Sequence, residues 1–215
     1  KMRSEDVLRE FFVSFQIALG KLLERNWRSV DLEELKVVAA VDAAYRDDLM
    51  SVAAVKWSIE ENRPIDQSSF ICEAPYPYIP GLLFLREAPP MLQALKKLKD
   101  DWQLLLVDGH GLLHPRKTGL AVILGFILEK PTLGIAKSLL VGFEAEGKEF
   151  GEVRINDRAL GYWFKFPGSR KFYASPGYLI DVKQIPRLIE KLGNKYPDAL
   201  THADKLSKNL LRRAY

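Results

Sequence analysis

The sequence predicts one α/β domain, a mixed β-sheet flanked by helices. Three observations carry this reading. Three β-branched or small-apolar runs follow one another closely between residues 36 and 74; short apolar runs alternate with helical patterns between 89 and 136; and helix-period segments stand at both ends of the chain. The chain has 215 residues, 47% hydrophobic and 28% charged, enough for one sizeable core and too apolar to stay disordered.

In chain order, residues 4–25 repeat Val7, Phe11, Phe15, Leu19 and Leu22 at helical spacing, with Ser4 and Asp6 as an N-terminal cap. Residues 36–45 (KVVAAVDAAY), 49–58 (LMSVAAVKWS) and 66–74 (DQSSFICEA) read as strands, with turns at 46–48 and 61–64. Strands joined this tightly form an antiparallel meander. Residues 89–98 read as a helix with Pro89 and Pro90 in its first turn. Residues 104–107 and 131–136 are short and wholly apolar, as strands covered on both faces are, and 119–128 is a helix between them. Short strands with glycine-rich breaks fill 143–175, and helices over 185–192 and 199–213 follow. No repeat, linker or low-complexity segment divides the chain. Residues 1–215 are therefore expected to be a single domain, an N-terminal helix over 4–25 and a core over 36–215.

Composition narrows the function classes. A net charge of +4 permits an anionic partner without demanding one. Cys72 is the only cysteine, which excludes an intramolecular disulfide framework and a cysteine-rich zinc site and suits a reducing cytoplasm. No run approaches the roughly 18 apolar residues of a membrane span, and no signal peptide is read at the start. The expected location is cytoplasmic, and a monomer is expected because no apolar stripe is left over for a partner.

Four segments hold more chemistry than a scaffold needs. Asp42 interrupts the apolar run VVAAVDAAY, and a buried carboxylate must find a partner or keep a proton. It is either a residue on an exposed strand edge or a metal ligand. Asp108 directly follows LLLV, at the carboxyl end of a buried strand where α/β proteins place ligands, although a turn or cap residue would look the same. Residues 75–90 (PYPYIPGLLFLREAPP) form a stiff proline-rich loop that displays Tyr78 or packs it beneath, with Glu87 as a carboxylate near a helix start. Residues 108–138 combine repeated glycines with His110, His114, Arg116, Lys117 and Lys137, which suits close approach to an anion. Three acidic residues far apart in sequence, two of them on strands of one sheet, can converge on Mg²⁺, a cation that takes oxygen ligands. Lys137 could then add positive charge beside an attacked phosphate.

The segments VAAVDAAY, PYIPGLLFLREAP, LLLVDGHGLLHPRKTGLA and PTLGIAKSLLVG resemble the motifs of the endonuclease V family in order and spacing, from about Lys36 to the final helix. The resemblance implies a ribonuclease H-like mixed sheet flanked by helices and a Mg²⁺ site that Mn²⁺ can also fill. It implies Asp42, Glu87 and Asp108 as metal-binding residues, with His114 and Lys137 also catalytic. Tyr78 matches the wedge that fills the gap left by a flipped nucleotide. Gly81, Leu83, Gly111, Gly134 and Leu140 match the pocket that reads hypoxanthine. The implied activity is recognition of deaminated purines, above all inosine, in DNA repair, with hydrolysis of the second phosphodiester bond 3′ to the lesion to leave a 3′-hydroxyl and a 5′-phosphate. The implied partner is deoxyinosine-containing DNA, with inosine-containing RNA as a further partner. One departure is Val122-Ile123-Leu124-Gly125, where many members carry a Ser-His pair before the glycine. Near the C-terminus the family places an additional acid or histidine; His202 and Asp204 are both candidates, and Asp204, after Ala203, is preferred as a further metal ligand. Two alternatives stay open: a ribonuclease H-like module that binds nucleic acid without cutting it, and a nuclease acting mainly on inosine in RNA or on branched or mismatched DNA.

Overall fold

Two long hairpins set the frame of the computed structural model, which describes residues 3–214. Strands β1 (Val37–Arg46), β2 (Leu49–Ser58) and β3 (Arg63–Glu73) pair antiparallel as the meander expected from their composition. β4 (Leu104–Asp108) and β5 (Thr132–Ala136) then run parallel to β1. The glycine-rich region supplies β6 (Phe143–Glu144), β7 (Phe150–Ile155), β8 (Arg158–Phe164) and β9 (Phe172–Tyr178). Asn156 and Asp157 both have positive φ, the two-residue turn that closes a β7–β8 hairpin. Among the described residues the sheet has nine strands in the order β3-β2-β1-β4-β5-β9-β8-β7-β6.

Helices cover both faces. On one lie α1 (Ser4–Arg25), α2 (Leu83–Leu95) and α3 (Leu120–Leu128), in a core with Ala39, Val41, Val52, Leu105 and Val107. On the other, α4 (Ile185–Lys191) and α5 (Asp198–Arg213) pack on Val38, Ala40, Leu104, Leu106 and Leu133. The central strands β1, β4 and β5 are thus buried on both sides, which is why they read as apolar runs.

Two boundaries differ from expectation. α2 begins at Leu83, so Pro89 and Pro90 sit inside the helix rather than in its first turn. Proline has no N–H, so Leu85 and Arg86 keep carbonyls without their usual helical donors. Phe84, Ala88, Met91 and Ala94, buried at helical spacing, hold the helix together across that gap. At the N-terminus, Arg3 rather than Ser4 occupies the cap position, and the Ser4 side chain lies outside the described ones. α1 turns Gln16, Leu19 and Leu23 inward and leaves Val7, Phe11, Phe15 and Leu22 exposed. An apolar row therefore remains on α1, and the expectation of a monomer loses its basis in the sequence. No helix among the described residues is long and apolar enough to cross a membrane.

Candidate active site

The parallel pairing of β1 with β4 ends at Val41 and Val107, and Asp42 and Asp108 come next on each strand. Side chains alternate along a strand, so both aspartates point to the face that Val38, Ala40, Leu104 and Leu106 share with α5. That helix brings Asp204, and Lys137 follows the last residue of β5. Four charged groups from β1, β4, α5 and the end of β5 thus meet at the carboxyl edge of the sheet.

Charge is crowded there. Asp42 Oδ1 accepts from Ala43 N at 2.7 Å, whereas Oδ2 is buried and receives no donor from any described residue. Burial first, and then the charge of Asp108, push the Asp42 carboxyl far above the ordinary aspartate range. Burial also works against the charge of Asp204, but its hydrogen bonds and the positive charge of Lys208 outweigh that and hold it low. Between the two, a proton is favoured on Asp42 rather than on Asp204. Lys137 Nζ lies 2.5 Å from Asp108 Oδ2. Burial opposes its charge, but Asp108, Asp42 and Asp204 together raise its pKa.

Glu87 approaches from the other face. It is buried in the second turn of α2, and burial, followed by the charge of Asp108 against a hydrogen bond from Tyr45, pushes its carboxyl up to about 7. Tyr45 Oη donates to Glu87 Oε1 at 2.7 Å, the Arg86 guanidinium stands 4.5 Å above the Tyr45 ring, and Arg86 Nη1 donates to Tyr76 O at 3.1 Å.

The donor set suits a hard divalent cation. Asp42, Glu87, Asp108 and Asp204 offer only carboxylate oxygens, one of them buried without a donor, and neither thiol nor imidazole. Among the described residues no three acidic or imidazole groups already stand at ligand spacing. Lys137 occupies Asp108 Oδ2, so an ion on that oxygen requires the lysine to turn away.

The loop 75–82 is pinned at both ends. Near its start Tyr76 O accepts from Arg86; at its end Gly81 O accepts from Arg116 Nη2 at 2.7 Å and lies 3.2 Å from His114 Nε2. His114 Nδ1 accepts from Arg116 N, so the proton belongs on Nε2, facing the Gly81 carbonyl. Burial, reinforced by Arg116, holds the His114 pKa down near 4, and the ring is neutral. The structure thus places His114 as a clasp on the loop, not against the carboxylates. Between the pins, Tyr78 is 64% exposed. Arg116 also donates to Gln16 of α1, which ties that helix to the loop.

Gly81 has φ +79°, and a Cβ there would lie 2.4 Å from Arg116 Nη2. Gly81→Ala is expected to destabilise the fold by about 1–3 kcal/mol through the left-handed backbone and the displaced arginine. A urea unfolding midpoint equal to that of the natural chain would show that the clasp carries no such strain.

The remaining candidates are scattered around this centre. Leu83 begins α2 half-buried, and Leu140 is exposed. Gly134 and Gly111 are buried against each other: a Cβ on Gly134 would lie 2.6 Å from Gly111 N, and that N–H donates to Ser175 Oγ at 2.9 Å. His202 turns away, with Nε2 3.1 Å from Gln67 Oε1, whereas Asp204 faces the cluster. Sequence reading singled out neither Tyr45 nor Tyr196. Tyr45 stands three residues after Asp42 and so points to the opposite face, a parity readable from the strand pattern. The Tyr196 ring lies 5.6 Å from Lys137 Nζ, and its hydroxyl is buried without a partner among the described residues; nothing in its flanking residues signals that.

Comparison with known proteins gives this arrangement its context. A family profile described as endonuclease V matches residues 21–205. The chain is similar to an endonuclease V of Saccharolobus islandicus, 37% identical over 206 residues and covering 96% of this chain and 98% of that one. Its structure is similar to the endonuclease V of Streptomyces avermitilis, with TM-score 0.81, 27% identity and coverage of 100% of this chain and 95% of that one. A Ciona intestinalis endonuclease V, solved with a 24mer DNA containing an inosine followed by a ribo-adenosine, shares the fold at TM-score 0.85 and 22% identity, covering 99% of this chain and all of that one. The profile match and the near-complete overlap with relatives reach past the fold to the family: this chain is an endonuclease and belongs to the endonuclease V family.

Proposed function

We propose that the protein recognises inosine in DNA and hydrolyses the second phosphodiester bond on its 3′ side, in the repair of deaminated purines. The observation that carries this reading is the meeting of Asp42, Asp108, Asp204 and Lys137 at one sheet edge, next to a pinned loop that presents Tyr78 to solvent. The family is metal-dependent in general. In this chain Asp42, Glu87, Asp108 and Asp204 would hold Mg²⁺, with Mn²⁺ as a substitute. Such an ion supplies an activated water and neutralises charge on the phosphate.

The chain's own residues do the rest. Lys137 turns from Asp108 to a non-bridging oxygen of the scissile phosphate and stabilises the charge that grows there. As water adds to phosphorus, the bond to the 3′ oxygen breaks, leaving a 3′-hydroxyl and a 5′-phosphate. His114 and Arg116 hold Gly81, so that Tyr78 enters the duplex from a fixed base when the modified nucleotide turns out. A mispaired base costs the least to extrude, which favours the lesion over normal pairs. Gly81, Leu83, Gly111, Gly134 and Leu140 would surround the extruded hypoxanthine, with Gly111 N–H released from Ser175 if it is to read the base. Half-buried, unpaired Cys72 suits work in a reducing cytoplasm.

The test compares end-labelled oligonucleotides with and without one deoxyinosine, in Mg²⁺ and in EDTA. A metal-dependent nick at the second bond 3′ of inosine, only in the modified strand, is the expected result. Tight binding without a cut in either strand would replace this reading with a non-cleaving module. Because the Ciona complex carries a ribo-adenosine after its inosine, a matching oligonucleotide with that ribonucleotide tests RNA as the preferred strand. Tyr78→Ala is expected to lower discrimination between inosine and adenine about tenfold, since base-aromatic stacking is worth about 1–3 kcal/mol. Unchanged discrimination would remove Tyr78 as the wedge.

A further inference from the structure

We infer that Tyr45 is the positioning residue for Glu87, fixing one carboxylate oxygen so that the other faces the metal; this rests on the reading of Glu87 as a ligand. Asp42 and Tyr45 lie three apart on β1, so one strand sends a carboxylate to the α5 face and a phenol to the α2 face. The Tyr45 hydroxyl donates to Glu87 Oε1 at 2.7 Å, which commits that oxygen and leaves Oε2 for an ion.

Glutamate has three rotatable side-chain bonds, and ordering such a chain is entropically unfavourable. A hydrogen bond already in place removes most of that cost from metal binding. The Tyr45 ring is itself braced: the Arg86 guanidinium stands 4.5 Å above it, and Arg86 is anchored by its bond to Tyr76 O. The brace therefore runs from the proline-rich loop through Arg86 and Tyr45 to Glu87. A filler role does not account for this. Tyr45 is 38% exposed, so its ring is not a core element. Hydrogen-bonded partners of ligating side chains commonly carry 10–100-fold in metal affinity.

The experiment is calorimetric titration of Mn²⁺ alone into the full chain without nucleic acid, for the natural sequence, Tyr45→Phe, Glu87→Gln and the double variant. Phenylalanine keeps the ring under Arg86 and removes only the hydroxyl. Tyr45→Phe is expected to weaken Kd roughly tenfold, and to add nothing in the Glu87→Gln background. The Mg²⁺ concentration for half-maximal cleavage rises by the same factor, while the rate at saturating metal stays within about twofold. Arg86→Gln, which keeps the hydroxyl but frees the ring, gives a smaller loss in the same direction. An unchanged Kd in Tyr45→Phe, or an equal loss with and without Glu87, would overturn the assignment while leaving the proposed function standing. Failure of the natural chain to bind Mn²⁺ would overturn the metal reading of the whole site, and this inference with it.

Discussion

Asp42→Asn is expected to abolish cleavage, by at least about a thousandfold or ~4 kcal/mol in the barrier, and yet to stabilise the metal-free protein at neutral pH. The second half follows from the sign of the pKa shifts. Burial and Asp108 raise the folded-state pKa of Asp42 far above its unfolded value, and Glu87 is raised to about 7 in the same way. The folded protein then binds protons that the unfolded chain releases. The stability that these two groups contribute is greatest below their unfolded pKa values, near pH 4, and is lost as pH rises through the folded ones. Each retained proton steepens that loss by about 1.4 kcal/mol per pH unit.

Asparagine has no proton to lose. Its amide oxygen can take the Ala43 N–H that Asp42 Oδ1 accepts, and its NH₂ can donate to Asp204. Thermal unfolding in EDTA between pH 5 and 8 checks this. The natural chain should lose stability across that range and Asp42→Asn should lose less, with Mg²⁺ restoring the natural chain but not the variant. A pH-independent melting temperature in the metal-free natural chain would show that the carboxylates are not crowded as described. Cleavage by Asp42→Asn at the natural rate would remove Asp42 from the chemistry.

The residues most legible in the sequence are those whose role depends on where a strand ends. Asp42 broke an apolar run, and Asp108 and Lys137 each followed one; the parallel strands β1, β4 and β5 then set all three at one edge. Asp204, preferred over His202 in the sequence, is the one of the two that α5 turns toward the cluster. Residues two apart on α5 point to nearly opposite sides, so only one of them can face the cluster. The structure turns His202 toward Gln67 and Trp57.

What stayed hidden depends on contacts between distant segments. The two prolines marked a helix start by local rule, but buried Phe84, Ala88 and Met91 extended α2 past them toward its N-terminus and carried Glu87 into the second turn. Two histidines close to Arg116 and Lys117 suggested an anion site. In the fold His114 is a neutral clasp on Gly81, and half-buried His110 lies beside Asp108 with its pKa held near 4, first by burial. Tyr45 and Tyr196 look like ordinary aromatic residues until α2 and Lys137 are placed beside them. Local spacing carries the strand-borne charges; it does not carry a group whose partner lies about forty or sixty residues away, as with Tyr45 and Glu87 or Lys137 and Tyr196.

The second large effect concerns Lys137, which stands 2.5 Å from an oxygen that the proposed metal needs. An ammonium on Asp108 Oδ2 and a divalent cation on the same oxygen exclude each other. Burial disfavours the charge of Lys137, but Asp108 and the neighbouring aspartates raise its pKa, so it does not give way by losing its proton near neutral pH. In the proposed reaction it moves from Asp108 to the scissile phosphate. Lys137→Met keeps the length of the side chain and deletes the charge. Cleavage is expected to fall about 100–1,000-fold, the loss typical when one donor that stabilises a developing oxyanion is removed. Mn²⁺ binding without nucleic acid is expected to tighten about tenfold, or ~1.4 kcal/mol, because the competitor is gone. Single-turnover cleavage and calorimetric titration on the same preparation read both numbers. Loss of cleavage with tighter metal binding would separate a phosphate-stabilising lysine from a ligand-organising one. Weaker metal binding would mean that Lys137 holds Asp108 in place for the ion, and the exchange of partners would be wrong.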